Sequence, residues 1–319
     1  MMASLDPYIG PAAGVSASLL WSFTTLLFTA ASQRLGATRV NALRIVFAVL
    51  WLGLTHRLLA GTWIPAASTR QVVLLALSGL VGLSIGDWAL FASFVSIGPR
   101  LSTLLCTTSP IFAAFFGWLI LGETLNAVAG FGMLLTIGGV AWVVLERPAP
   151  GSALVKSNRV RGVLLALAAA AFQAGGYLLS KQGIGHGWLP REQHMPPQTA
   201  TFIRMFFAAI FVFPLIGLAA RLRIGVRGNL APIDQRERRV GYVYTLCGSL
   251  VGPFLGVWLS LVASDRVKLG VAQTLISLTP VFILPLVVWV YKERVSLRAV
   301  LGACIAVAGT ALLFLPQSG

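Results

Sequence analysis

Charge is what this chain has least of. Asp, Glu, Lys and Arg make up 10% of its 319 residues, against 57% hydrophobic, whereas a soluble domain carries about a quarter charged residues. Too few polar residues remain to coat a water-facing globule of this length, so the sequence reads as an integral membrane protein. Histidine is scarce as well: His56, His186 and His194 all lie in or near loops. No two acids face one another at helical spacing inside an apolar run, and the pattern GxxxxGK[ST] does not occur. Metal and acid–base chemistry calls for clustered carboxylates or histidines, and ATP hydrolysis for a phosphate-binding loop. Catalysis, a metal or cofactor, and ATP as energy source are therefore not expected. Cys106, Cys247 and Cys304 are odd in number and fall inside apolar runs, which predicts buried inert thiols and no disulfide framework.

What the chain has is apolar segments near the roughly 20 residues that cross the hydrocarbon as a helix. Ten are expected, at about 12–32, 40–56, 71–94, 101–121, 126–145, 161–180, 199–219, 241–263, 268–291 and 296–315. Helices follow because each backbone N–H and C=O must be satisfied within the segment, and the period-2 pattern of a barrel is missing. The leader MMASLDPYIG contains no Lys or Arg, so the first run is read as a span and not as a signal peptide. The formal charge of +15 does not point to nucleic acid. The basic residues sit in short loops, as in the cluster Arg221 to Arg239 and the group Lys156, Arg159 and Arg161, where they set topology and meet anionic headgroups.

The chain also repeats itself. A shift of 170 positions lays the third to fifth spans over the eighth to tenth without a gap. Gly82, Gly86 and Trp88 fall on Gly252, Gly256 and Trp258; Pro110 and Phe112 on Pro280 and Phe282; Glu123 on Glu293. Gly132, Gly139 and Ala141 fall on Gly302, Gly309 and Ala311. Earlier spans match at other offsets, with Arg44 on Arg204 and Gly14 on Gly162. A repeat of five spans is odd, so the second copy must enter the membrane inverted. Inverted repeats about an axis in the membrane plane are the architecture of secondary transporters.

The paired segments SPIFAAFFGWLILGE (109–123) and TPVFILPLVVWVYKE (279–293), each followed by a Gly-spaced last helix, resemble the repeat signature of EamA-type transporters of the drug/metabolite transporter (DMT) superfamily. The resemblance covers nearly the whole chain. It implies an all-α integral membrane protein, with ten transmembrane helices as two inverted five-helix repeats over 1–150 and 151–319. It further implies a secondary transporter, mostly an exporter, moving amino acids, other metabolites or drugs across the bacterial inner membrane by alternating access. The partners implied are a small-molecule substrate and membrane lipids, with no nucleic acid, and with monomer and homodimer both open. The alternatives are a membrane-embedded enzyme acting on lipid-linked substrates, and a channel or receptor.

Asp87, in GLSIGDWALF, is the one acid of nine placed well inside a span. Its counterpart in the second half is Val257, so any role is asymmetric. A buried carboxylate costs roughly 2.5–3.5 kcal/mol on insertion scales. It suits proton coupling or recognition of a cationic substrate group; the plain alternative is a structural hydrogen bond to Ser84 or a neighbouring helix. Thr103, Thr107 and Pro110 share one helix face, as do Gln273, Ser277 and Pro280. Thr25, Gln173 and Tyr177 extend the polar set, which reads as interhelical hydrogen bonding or as a cavity lining. Pro110 and Pro280 are expected to kink their helices, next to Ser109 and Thr279, as packing bends or as gating elements. Glu123 and Glu293 read as boundary residues with a gate-closing ion pair as the functional version. Arg44 and Arg204 read as snorkelling side chains or as anion and gate contacts.

Orientation is contested. Sixteen loop Lys and Arg follow odd-numbered spans and six, Lys181 among them, follow even-numbered ones. Positive-inside then puts both termini outside, whereas the resemblance implies termini inside.

Overall fold

A computed structural model describes residues 6–35, 37–97, 102, 105–144, 159–188, 193–221, 234–279, 281–283, 285–286 and 297–313. Thr103, Pro280 and Glu293 lie outside the described residues. Every regular element among the described residues is helical. In chain order these are α1 (Asp6–Leu35), α2 (Ala37–Ala60), α3 (Thr69–Ser78), α4 (Gly86–Ile97), α5 (Ser109–Leu121), α6 (Ala127–Val144), α7 (Arg159–Ile184), α8 (Pro197–Arg221), α9 (Gln235–Ser249), α10 (Val257–Arg266), α11 (Leu269–Ile276) and α12 (Leu297–Leu313). A π-helical segment, Gly79–Ile85, joins α3 to α4, and a second, Leu250–Gly256, joins α9 to α10.

Local sequence sets the ends of these helices. Ser68 and Gln71 form a reciprocal capping box before α3, the Ser68 Oγ accepting from the Gln71 amide and the Gln71 Oε1 from the Ser68 amide. Asn126 accepts from the Ala129 amide at 2.7 Å to start α6, and Asp234 from the Gln235 amide at 2.6 Å to start α9. These side chains take over donors that a helix start leaves orphaned. Gly122, at φ 69°, ends α5 in a left-handed conformation that costs glycine little.

Six helical stretches are long and apolar enough to cross a membrane, beginning at Pro7, Arg39, Thr69, Val160, Pro197 and Gln235. Four shorter apolar helices, Ser109–Leu121, Ala127–Trp142, Leu269–Ile283 and Val300–Leu312, occupy the other expected segments. The exterior is apolar, with Leu50, Ile111, Phe115, Phe131, Leu134 and Phe213 exposed, while Ser18, Ser22, Ser78, Thr136, Gln182 and Arg204 are buried. An apolar exterior of this extent is what lipid, and not water, tolerates. Cys247 and Cys304 are on this exterior, and Cys106 is half-buried. The expectation of three buried thiols is thus corrected: a thiol is apolar enough to face lipid.

Packing runs across the two halves of the chain. α1 packs on α9, α10 and α11, and α7 packs on α3, α4 and α5. α2 pairs with α8, α5 with α11, and α6 with α12. The α6–α12 crossing brings backbones together. A Cβ on Gly139 would stand 2.4 Å from the Ala306 nitrogen, and one on Gly309 2.5 Å from the Thr136 nitrogen. Small residues permit this approach, and in lipid close packing replaces the hydrophobic drive between helices. Gly139→Leu and Gly309→Leu are each expected to destabilise the purified protein by at least the ~1–3 kcal/mol typical of overpacking. Gly138→Leu, whose Cβ meets nothing within 4 Å, is the matched control. Thermal unfolding in detergent checks the contrast.

Candidate functional site

Asp87 opens α4 directly after the Gly79–Ile85 π segment. Segments of this kind disturb the regular hydrogen-bond ladder and recur at functional sites. The second π segment, with Pro253 inside it, stands in the corresponding place before Val257. Of the two structural partners expected for Asp87, Ser84 or a neighbouring helix, the structure has the neighbouring helix. Ser84 Oγ donates instead to the carbonyls of Gly79 and Ala208, both at 3.4 Å. The carboxylate accepts from an Nη of Arg44. Arg44 Nε donates to Asn41 Oδ1 at 2.8 Å, and the guanidinium lies 6.0 Å from the Phe28 ring centroid. The ion-paired side chains are 11% and 12% exposed.

Arg204, for which snorkelling and an anion or gate contact are both expected readings, does not snorkel: it turns inward and is 1% exposed. Its guanidinium lies 4.7 Å from the centroid of the Tyr177 ring, a cation–π distance. Glycine at 82 makes room for it, since a Cβ there would stand 2.9 Å from an Nη of Arg204. Both guanidiniums act electrostatically on Asp87. Arg44, Asp87, Arg204 and Tyr177, from four helices, therefore form one charged cluster inside the bundle.

Pro110 does not bend a continuous helix. Turns at Thr107–Thr108 and Ser277–Leu278 interrupt the fourth and ninth spans, and Pro110 sits in the first turn of the half-helix that follows, where its missing N–H costs nothing. The two breaks share a bonding pattern. Thr108 N donates to Leu105 O at 3.1 Å and Ile111 N to Thr108 O at 2.9 Å, while Leu278 N donates to Leu275 O at 3.4 Å and Val281 N to Leu278 O at 2.8 Å. Ser109 Oγ donates to Gln273 Oε1 at 3.4 Å, tying the breaks together. Thr107 and Gln273 are buried there. Two other members of the expected stripe point elsewhere. Thr25, which is exposed, donates to its own helix at Trp21 O, and Ser277 to Thr274 O, both at 2.8 Å. Gln173 is half-buried on α7.

A second charged cluster joins the halves at the end of the bundle where α1 begins. Glu123 Oε1 accepts from Lys181 Nζ at 2.5 Å, and Oε2 accepts from the Leu269 amide at 2.6 Å. Lys181 Nζ also donates to Val267 O at 2.7 Å. Glu123 is thus no free boundary residue; it caps α11 in the other half. Lys181, tallied above as a loop cation, is inside α7 and 5% exposed. Asp265 Oδ1 beside it accepts from His186 Nε2 at 2.7 Å and His194 Nε2 at 2.9 Å. His56, far from being a loop residue, is buried in α2 and bonds Gln198 at 3.2 Å. Sequence reasoning missed Lys181 and Asp265 because their spacing along the chain carries no trace of these contacts.

A helical bundle with an apolar exterior and buried ion pairs is a multi-pass membrane protein. The model of the EamA-like transporter family matches residues 8–145 and again 160–315, and the chain belongs to that family, within the DMT superfamily. Such proteins carry small solutes, and the membrane is their environment. One crystal structure shares the fold, with a TM-score of 0.70 at 18% identity over 95% of each chain. No curated protein matches the chain in sequence.

Removing one member of a buried ion pair strands the other, at a cost of roughly 3–5 kcal/mol. Asp87→Asn and Arg44→Gln are each expected to lower stability on that scale. The double variant is expected to recover part of the loss, and a double-mutant cycle in thermal unfolding measures the coupling.

Proposed function

We propose that this chain is a secondary carrier of small organic solutes that works by alternating access, as an exporter in the bacterial inner membrane. The observation that carries the reading is the exchange symmetry of the packing. Where both members of a cross-half pairing are described, the equivalent helices pack in return: α1 on α9 and α10 as α7 on α3 and α4, and α2 on α9 as α8 on α3. This favours ten spans as two inverted repeats, divided near residue 150. Two equivalent halves can trade conformations and so open a central site to either face.

The Glu123–Lys181–Leu269 cluster acts as the latch of one gate. It lies at one end, spans both halves and is buried, so breaking it releases that end. Asp87, Arg44, Arg204, Tyr177, Gln273 and Thr107 line the solute path, and the broken fourth and ninth spans are the moving parts. Half-helix ends next to a central site are a recurring device of such carriers. The lipid-linked enzyme reading gains no support, because the described histidines cluster at the end of the bundle and not with Asp87.

The test is counterflow. Liposomes containing the purified chain, preloaded with one unlabelled amino acid or organic acid at a time, are expected to accumulate the same labelled compound transiently and chemically unchanged. Uptake equal to that of empty liposomes across the panel would overturn the reading, and chemically altered label would favour the enzyme. Lys181→Met, which strands Glu123, is expected to slow counterflow at least tenfold while Lys181→Arg retains most of it.

A further inference from the structure

The central cluster does not balance its own charge. It holds two guanidiniums and one carboxylate, and the carboxylate is bonded to Arg44. Arg204 is left with Nε and Nη1 both buried and without a hydrogen-bond partner, in a residue 1% exposed. Its neighbours do not supply the missing charge. The Tyr177 ring offers a π face and the Tyr177 hydroxyl a neutral oxygen, and Gly82 has no side chain to offer. Among the described residues, no acid other than Asp87 bears on Arg204. Burying a cation with two open donors is expensive unless an anion meets it, and the halves are not equivalent here: the symmetry mate of Asp87 is Val257.

We propose that Arg204 is the anchor for an anionic group of the transported solute, and that this group is a carboxylate. The inference rests on the carrier reading and names its substrate class. One unpaired positive charge is matched by one negative charge, which a monocarboxylate supplies and a phosphate dianion exceeds. Asp87, with its charge committed to Arg44, then holds the first half of the cluster together and does not receive a cationic substrate group. Tyr177 positions the guanidinium by stacking beneath it.

The experiment measures thermal stability of the purified full chain in detergent with charge-matched probe pairs. Benzoate is compared with benzamide, acetate with acetamide, and each with inorganic phosphate, over constant sodium chloride. A ligand that binds only the folded state raises its stability in proportion to ln(1 + [L]/Kd). Wild type is expected to melt several degrees higher with a carboxylate than with its amide. That difference is expected to vanish in Arg204→Gln and to persist in Tyr177→Phe at reduced size. If Arg204→Gln does not fold, the wild-type arm decides alone. No carboxylate-over-amide difference overturns the proposal, as does a response confined to phosphate or one unchanged in Arg204→Gln. Counterflow of neutral solutes without any carboxylate response would leave the carrier standing and sink this assignment. Carboxylate binding lost in Arg204→Gln but without counterflow would sink the carrier reading and leave Arg204 as an anion site only.

Discussion

A backbone amide or a charged side chain surrounded by hydrocarbon has no water to turn to, and leaving it unpaired costs several kcal/mol. Almost every feature of this bundle answers that requirement. Ser and Thr hydroxyls within the helices donate to carbonyls one turn back, as in Thr136, Thr201, Ser260 and Thr274. Asp87 finds Arg44, and Glu123 finds Lys181 together with the start of α11. Among the described residues a few buried polar atoms stay unpartnered, on Thr24, Trp51, His56, Gln182 and Gln273 as well as Arg204, and of these Arg204 is the one with two open donors on a guanidinium.

In the proposed carrier the two charged clusters divide the labour. The one at the end of the bundle is saturated: both oxygens of Glu123 are engaged, and Lys181 bonds a carboxylate and a carbonyl at once. Such a cluster holds two parts together and is costly to break halfway, which is what a latch needs. The central cluster is unsaturated, which is what a binding site needs. In the proposed carrier, the paired breaks at Thr107–Thr108 and Ser277–Leu278, joined through Ser109 and Gln273, link the two.

Much of this was legible in the sequence. Helical class and membrane placement follow from composition and segment length, because a lipid solvent leaves few backbone solutions. The internal repeat was readable at Pro, Gly and Glu, where chance matches between apolar helices are rare, and the family match over 8–145 and 160–315 agrees with it. Asp87 was readable because charge in an apolar run is conspicuous. The expectation failed where a residue's own span was taken as its whole environment. The kink at Pro110 became a break just before it, Asp87 met a neighbouring helix and not Ser84, and Arg204 turned inward and did not snorkel.

By itself, then, the sequence determined what must be buried in lipid, how many times the pattern recurs and which few residues are expensive there. Tertiary structure alone decided who pays that expense with whom. Arg44 and Asp87 are 43 positions apart, Lys181 and Glu123 58, and Ser109 and Gln273 164. Pairing at those separations depends on which helix faces cross, and the crossings are set by glycine-sized gaps such as those at Gly82 and Gly139. A one-dimensional pattern records the charges and the gaps but not the faces that bring them together, and for that reason the unpaired donors of Arg204 became visible only in the folded chain.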